Sequence, residues 1–67
     1  MSDTTLVFAA RLRALREAAG LSVAHLAEAS SVHRTHLYQL ERGTRSPQWE
    51  TVQRLADALH VSTDALR

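Results

Sequence analysis

Four of the 67 residues are histidines, eight are arginines, and there is no lysine and no cysteine. These side chains are the ones with which so short a chain could do chemistry. His33 and His36 stand i, i+3 and would share a helix face, with His25 a short way before them. A zinc site needs three or four convergent ligands, and no carboxylate is obviously convergent with these histidines. They are read instead as imidazoles that strengthen phosphate contact when charged, below about pH 6.5. No nucleophile–base pair and no paired carboxylates at useful spacing occur, and most catalytic folds need a larger scaffold with a deep pocket. No cofactor, no metal and no enzymatic activity are expected. Arginine is more informative. Its guanidinium is a planar fork of donors that suits phosphates and the O6/N7 edge of guanine. A genomic bias toward arginine would give the same count, so position carries more weight than number. Net charge is only +1, but Arg34, Arg42 and Arg45 fall between Ser30 and Trp49 with a single acid, Glu41. The middle of the chain is locally positive, as a surface that meets nucleic acid would be.

The elements that must position these residues are helices. A chain of this length holds one small domain with a marginal core. The lack of cysteine excludes disulfides and thiolate metal sites and fits a reducing cytoplasm. No apolar run approaches the ~20 residues that span a bilayer, and the N-terminus lacks the pattern of a secretion signal. A soluble cytoplasmic protein is expected. Residues 1–4 are expected to fray, and 5–67 to form the domain. Phe8, Leu12, Leu15 and Ala19 make a helical stripe, with Asp3, Thr4 or Thr5 as cap and Gly20 as stop. Ser22 caps a second helix at about 23–29, with Leu26 and Ala27 facing inward. A third helix runs over about 34–42, with Leu37 and Leu40 buried and Gly43 ending it. After the loop Thr44-Arg45-Ser46-Pro47, a fourth helix at about 48–59 buries Trp49, Val52, Leu55, Ala56 and Leu59. Trp49 is read as a core filler. Ser62 caps a last turn or short helix carrying Leu66. No segment alternates with period two, so the fold class is all-α.

Between Gly20 and Gly43 the chain reads G-LSVAHLAEASSVHRTHLYQLERG. A short helix, a tight turn and a second helix bring Leu26, Ala27, Val32, Leu37 and Leu40 together, with small Ala27 at the crossing. This is a helix-turn-helix pattern, at about 22–42. The pieces LRALREAAGLS, HLAEASSV, LYQLERG and SPQWETVQRLADALHVSTDAL follow in order. In them the chain resembles the Cro and phage-repressor (XRE) type of regulators from about Leu12 to Leu66. The resemblance implies a compact five-helix, lambda-repressor-like DNA-binding domain.

It also implies roles. The third helix would lie in the major groove, with Arg34, Thr35, Tyr38 and Gln39 facing base edges and His33 and His36 flanking them. Arginine matches guanine, and Gln39 matches adenine N6/N7. Ser22 and the amides opening the second helix would clamp a phosphate, and Arg42, Thr44 and Arg45 would grip the next stretch of backbone. Arg16 and Glu41 occupy the family's arginine–glutamate pair, which is architectural. Three positions depart from the pattern. Val23 replaces a glutamine of the clamp, Ser31 the turn glycine, and His60 the glycine that ends the fourth helix. The implied function is a transcriptional regulator, a repressor, binding palindromic half-sites of a double-stranded operator as a weak homodimer through the Val61–Leu66 end. The alternatives are the antitoxin of a toxin–antitoxin pair, with a protein toxin as partner, or the DNA-binding part of a longer regulator. No membrane partner is expected.

Overall fold

The computed structural model describes residues 3–66. Helices α1 (Asp3–Ala18), α2 (Val23–Ser30), α3 (Arg34–Arg42) and α4 (Trp49–Leu59) follow one another, and a 3-10 turn (Thr63–Leu66) closes the fold. Among the described residues there is no strand, and no helix is long and apolar enough to cross a membrane. The expected fifth helix is thus one turn of four residues. It is held by a short-range bond, from Ala65 N–H to the Ser62 carbonyl at 3.1 Å. One turn forms too few bonds to propagate an α-helix. Of the residues expected to fray, Met1 and Ser2 lie outside the described residues, while Asp3 and Thr4 belong to α1.

The helix ends follow from local chemistry. At Gly20 (φ 73°) the Leu21 N–H donates to the Arg16 carbonyl at 3.1 Å and the Gly20 N–H to Glu17 at 3.0 Å. This pair of bonds satisfies the last carbonyls of α1. The same pair closes α4, where His60 takes the left-handed conformation at φ 57°. Ser31 does so in the turn after α2, at φ 59°. Just before it, Ser30 is buried yet satisfied. Its hydroxyl donates to the Leu26 carbonyl at 2.7 Å and accepts from the Val32 N–H at 3.4 Å.

The core is leucine on leucine. Leu12, Leu26, Leu37, Leu40 and Leu55 have no exposed surface, and Phe8, Val32, Leu59 and Leu66 surround them. Helix α1 packs on α3 and on the closing turn, and α2 packs on α3 and α4. Two sequence expectations need correction. Ala19 is exposed, because α1 stops at Ala18 and the next residue enters the turn. Trp49 is 55% exposed and is not a core filler. It is the first residue of α4, where the helix's apolar stripe runs out of the globule and onto the rim of a groove of 530 Å³ shared with Phe8, Pro47, Val52 and Leu66.

Candidate nucleic-acid interface

Helix α3 divides cleanly into two faces. Leu37 and Leu40 are fully buried, and Arg34, Thr35 and Tyr38 stand exposed on the opposite side. Their i, i+3 and i+4 spacings make one contiguous outward patch. Gln39 is half-buried at its edge. The first turn contains no acid, so nothing there offsets the positive end of the helix dipole.

The helix is fixed at both ends. At its start, the His33 imidazole is the cap, with Nδ1 accepting from the Thr35 N–H at 3.1 Å. A protonated Nδ1 cannot accept. His33 is therefore the tautomer with its proton on Nε2. His36 is half-buried, and its pKa is held below the ordinary 6.5, first by loss of solvent and then by Arg45 and His33. His36 is thus poorly set to become a charged phosphate ligand near pH 6.5. At the other end Gly43, at φ 74°, lets the Thr44 N–H reach back to the Gln39 carbonyl at 3.1 Å. No side chain fits at Gly43 without displacing a neighbour: a Cβ there would stand 2.8 Å from Leu6 Cδ2 on α1.

Beneath the last turn of α3, Arg16 meets Glu41. Arg16 Nε donates to Glu41 Oε2 at 2.7 Å and Nη2 to Oε1 at 3.1 Å. A third donor, Nη1, reaches the Leu21 carbonyl at 2.8 Å. The two side chains are only 13% and 8% exposed. This bidentate pair ties α1 and the turn after it to the end of α3. The Glu41 hydrogen bond holds the guanidinium's pKa above its already high ordinary value.

The remaining site residues lie around this frame. Ser22 caps α2, accepting from the His25 N–H at 3.1 Å, and is exposed with its own hydroxyl proton free to donate. Val23, in place of the clamp glutamine, is half-buried against the core. Arg42, Thr44 and Arg45 are exposed beside the end of α3. Among the described residues the ion pairs are Arg13–Glu17, Arg16–Glu41 and Arg54–Glu50, so Arg34, Arg42 and Arg45 have no carboxylate partner. The Thr44 hydroxyl donates to the Gln39 carbonyl at 3.1 Å, which makes it a helix cap in this arrangement. Arg45 Nη1 donates to Gln39 Oε1 at 3.4 Å. Among the contacts missed in the sequence are the His33 cap and the Arg45–Gln39 bond. The first had a signal, since His33 directly precedes α3. The second had only Gly43, whose reversal of the chain brings residue 45 back over residue 39.

Comparison with known proteins agrees with this architecture. The family described as "Helix-turn-helix domain" matches residues 7–67. An HTH-type transcriptional regulator from Mycobacterium tuberculosis is 42% identical over 55 residues, which is 82% of this chain and 39% of that protein. The chain therefore spans about two-fifths of the length of the curated relatives it matches. The restriction-modification controller protein C.AhdI from Aeromonas hydrophila superposes with a TM-score of 0.91 at 36% identity, over 94% of this chain and 96% of that one. An HTH_3 family transcriptional regulator from Vibrio cholerae gives 0.91 at 33% identity, over 97% of this chain and 38% of that one.

Proposed function

The chain belongs to the helix-turn-helix domain family, of the Cro and phage-repressor type, and we propose that it binds double-stranded DNA in a sequence-dependent manner to repress transcription. Helix α3 enters the major groove, and Arg34, Thr35, Tyr38 and Gln39 meet base edges. Ser22 and the amides opening α2, together with Arg42 and Arg45, hold the phosphates on either side. The observation that carries this reading is the outward face of α3, whose arginines and those of the following loop lack carboxylate partners among the described residues. A surface of that kind is otherwise an unneutralised positive edge on a chain of net charge +1.

One α3 reads only a few base pairs, so the reading includes a homodimer on half-sites about 34 Å apart. Leu66 is buried in its own chain, so the Val61–Leu66 end offers little apolar surface and a dimer built there is weak. Selection of bound duplexes from a random pool, with sizing of the complex, tests binding, half-site and spacing together. Arg34→Ala loses about 1–3 kcal/mol of discrimination at one base position. An equal loss on every sequence removes Arg34 from base reading. Repression is tested separately, with a reporter placed behind the selected operator: expression rises when the chain is absent, and a fall in expression refutes the sign.

A further inference from the structure

We propose that Arg45 sets base specificity through Gln39: it holds the Gln39 amide by its oxygen, so that this corner of the site offers DNA only hydrogen-bond donors and selects guanine over adenine. The inference rests on α3 lying in the major groove.

A guanidinium has no acceptor. The Gln39 atom 3.4 Å from Arg45 Nη1 is therefore the carbonyl oxygen, which removes the usual ambiguity of an amide's orientation. The contact is long and exposed, but it is not isolated. The Thr44 N–H and the Thr44 hydroxyl both donate to the Gln39 backbone carbonyl, each at 3.1 Å, so consecutive loop residues grip residue 39 at its backbone and its side chain. The charge of Arg45 is also felt at His36, one turn earlier on α3. Among the described residues the Gln39 NH2 has no protein partner.

A free glutamine reads adenine with both ends, its oxygen accepting from N6 and its nitrogen donating to N7. Here the oxygen is engaged, and an adenine amino group approaching its second lone pair would do so beside a cation. Guanine presents two acceptors, N7 and O6. Those match the Gln39 NH2 and an unused N–H of Arg45. Base preference at this point thus differs from the adenine match that glutamine alone implies.

The test is selection from random duplexes by the unaltered chain, by Gln39→Ala and by Arg45→Ala. Circular dichroism first establishes that each variant is folded. The position read by residue 39 is the one whose preference collapses in Gln39→Ala. The expected result is guanine there for the unaltered chain. In Arg45→Ala the guanine-to-adenine ratio moves toward adenine by about tenfold, within the range of one bidentate contact, and the preference set by Arg34 is retained. Adenine at that position in the unaltered chain overturns the inference. So does an Arg45→Ala variant that binds all sequences more weakly with its guanine preference intact, which would leave Arg45 a phosphate contact alone. So does a Gln39→Ala variant that loses no positional preference. Failure of the unaltered chain to bind any duplex at low salt is a different result, and it removes the DNA-binding reading underneath.

Discussion

Replacing Glu41 by alanine leaves the Arg16 guanidinium with a single partner, the Leu21 carbonyl at 2.8 Å, in a site where its side chain is only 13% exposed. Two charge-assisted bonds are lost, at 2.7 and 3.1 Å. Breaking one side of a buried pair costs about 3–5 kcal/mol, because the remaining charge stays desolvated. A domain of this size is stabilised by about 3–10 kcal/mol in all. At about 4–8 °C per kcal/mol, the melting temperature falls by at least about 12 °C. Urea titration followed by helical circular dichroism is the suitable assay, since Trp49 is already 55% exposed in the folded chain and reports unfolding poorly. The double variant Arg16→Leu with Glu41→Leu regains most of the loss, because a hydrophobic pair of similar volume replaces a buried ion pair at little cost. Only the bond to the Leu21 carbonyl stays unmade, at about 1 kcal/mol. Strong non-additivity is therefore the signature, with a coupling of about 2 kcal/mol or more. The pH dependence has a definite sign. The Arg16 pKa is raised in the folded state, so its contribution is complete below the ordinary arginine value and is lost only above it. Its share of the stability is accordingly flat from neutral to moderately alkaline pH. A Glu41→Ala cost under about 1 kcal/mol, or a double variant as unstable as the sum of the singles, would refute the assignment of a buried, mutually dependent pair.

Three further outcomes are expected. Gly43→Ala and Gly20→Ala both impose a left-handed conformation on alanine, at about 1–2 kcal/mol. Gly43→Ala costs only slightly more, because its Cβ meets the tip of the exposed Leu6 side chain, Cδ2 at 2.8 Å, which can turn aside, while nothing lies within 4 Å at Gly20. Denaturation of both variants in a Leu6→Ala background checks this, for there the excess disappears. His33→Ala loses the cap of α3 and about 0.5–2 kcal/mol. His33→Asp restores the stability and weakens DNA binding by placing an anion at the phosphates; an unchanged melting curve for His33→Ala would remove the cap from the account. The lowered pKa of His36 makes the folded state bind its proton less readily than the unfolded chain. The associated stability is present above pH 6.5 and is lost as pH falls from there through the lowered value. His36→Gln flattens that acid decline, and Arg45→Ala reduces it in part; an unaltered pH profile in His36→Gln would count against the assignment.

The fold was legible where its signals are local. The αL glycines at 20 and 43, the serine cap of α2 and the leucine spacing of α3 each depend on a few adjacent residues, and the observed bounds of α3 are those its spacing implied. The Ser31 and His60 positions fit the same logic, for their φ values of 59° and 57° lie in the left-handed region that favours glycine. Periodicity was weaker at helix ends. It placed Ala19 and Trp49 on apolar stripes, but a stripe says nothing about where the globule stops covering it. The site was legible as a set of positions and illegible as a set of bonds. Thr44 is expected to hold a phosphate, and its hydroxyl also donates to the Gln39 backbone carbonyl, a bond the sequence did not show. Gln39 and Arg45 were expected to act separately, and their contact exists only because the chain reverses at Gly43.

The three restraints on α3 differ in strength, and that ordering bears on how the interface works. The Arg16–Glu41 pair is buried and worth several kcal/mol if broken. The His33 cap is worth about 1 kcal/mol. The loop bonds from Thr44 and Arg45 are exposed, and bonds of that kind contribute about 1 kcal/mol or less because water competes for both partners. Helix α3 is therefore positioned from beneath, and its loop is free to exchange partners without moving it. A phosphate can take the Thr44 hydroxyl while the Thr44 N–H still closes the helix. Arg45 can give one donor to Gln39 and keep others for the backbone. Stability and DNA affinity should thus fall together when Glu41 is changed and separate when Arg45 is changed. Parallel losses in both variants would mean that the loop, not the buried pair, sets the place of α3.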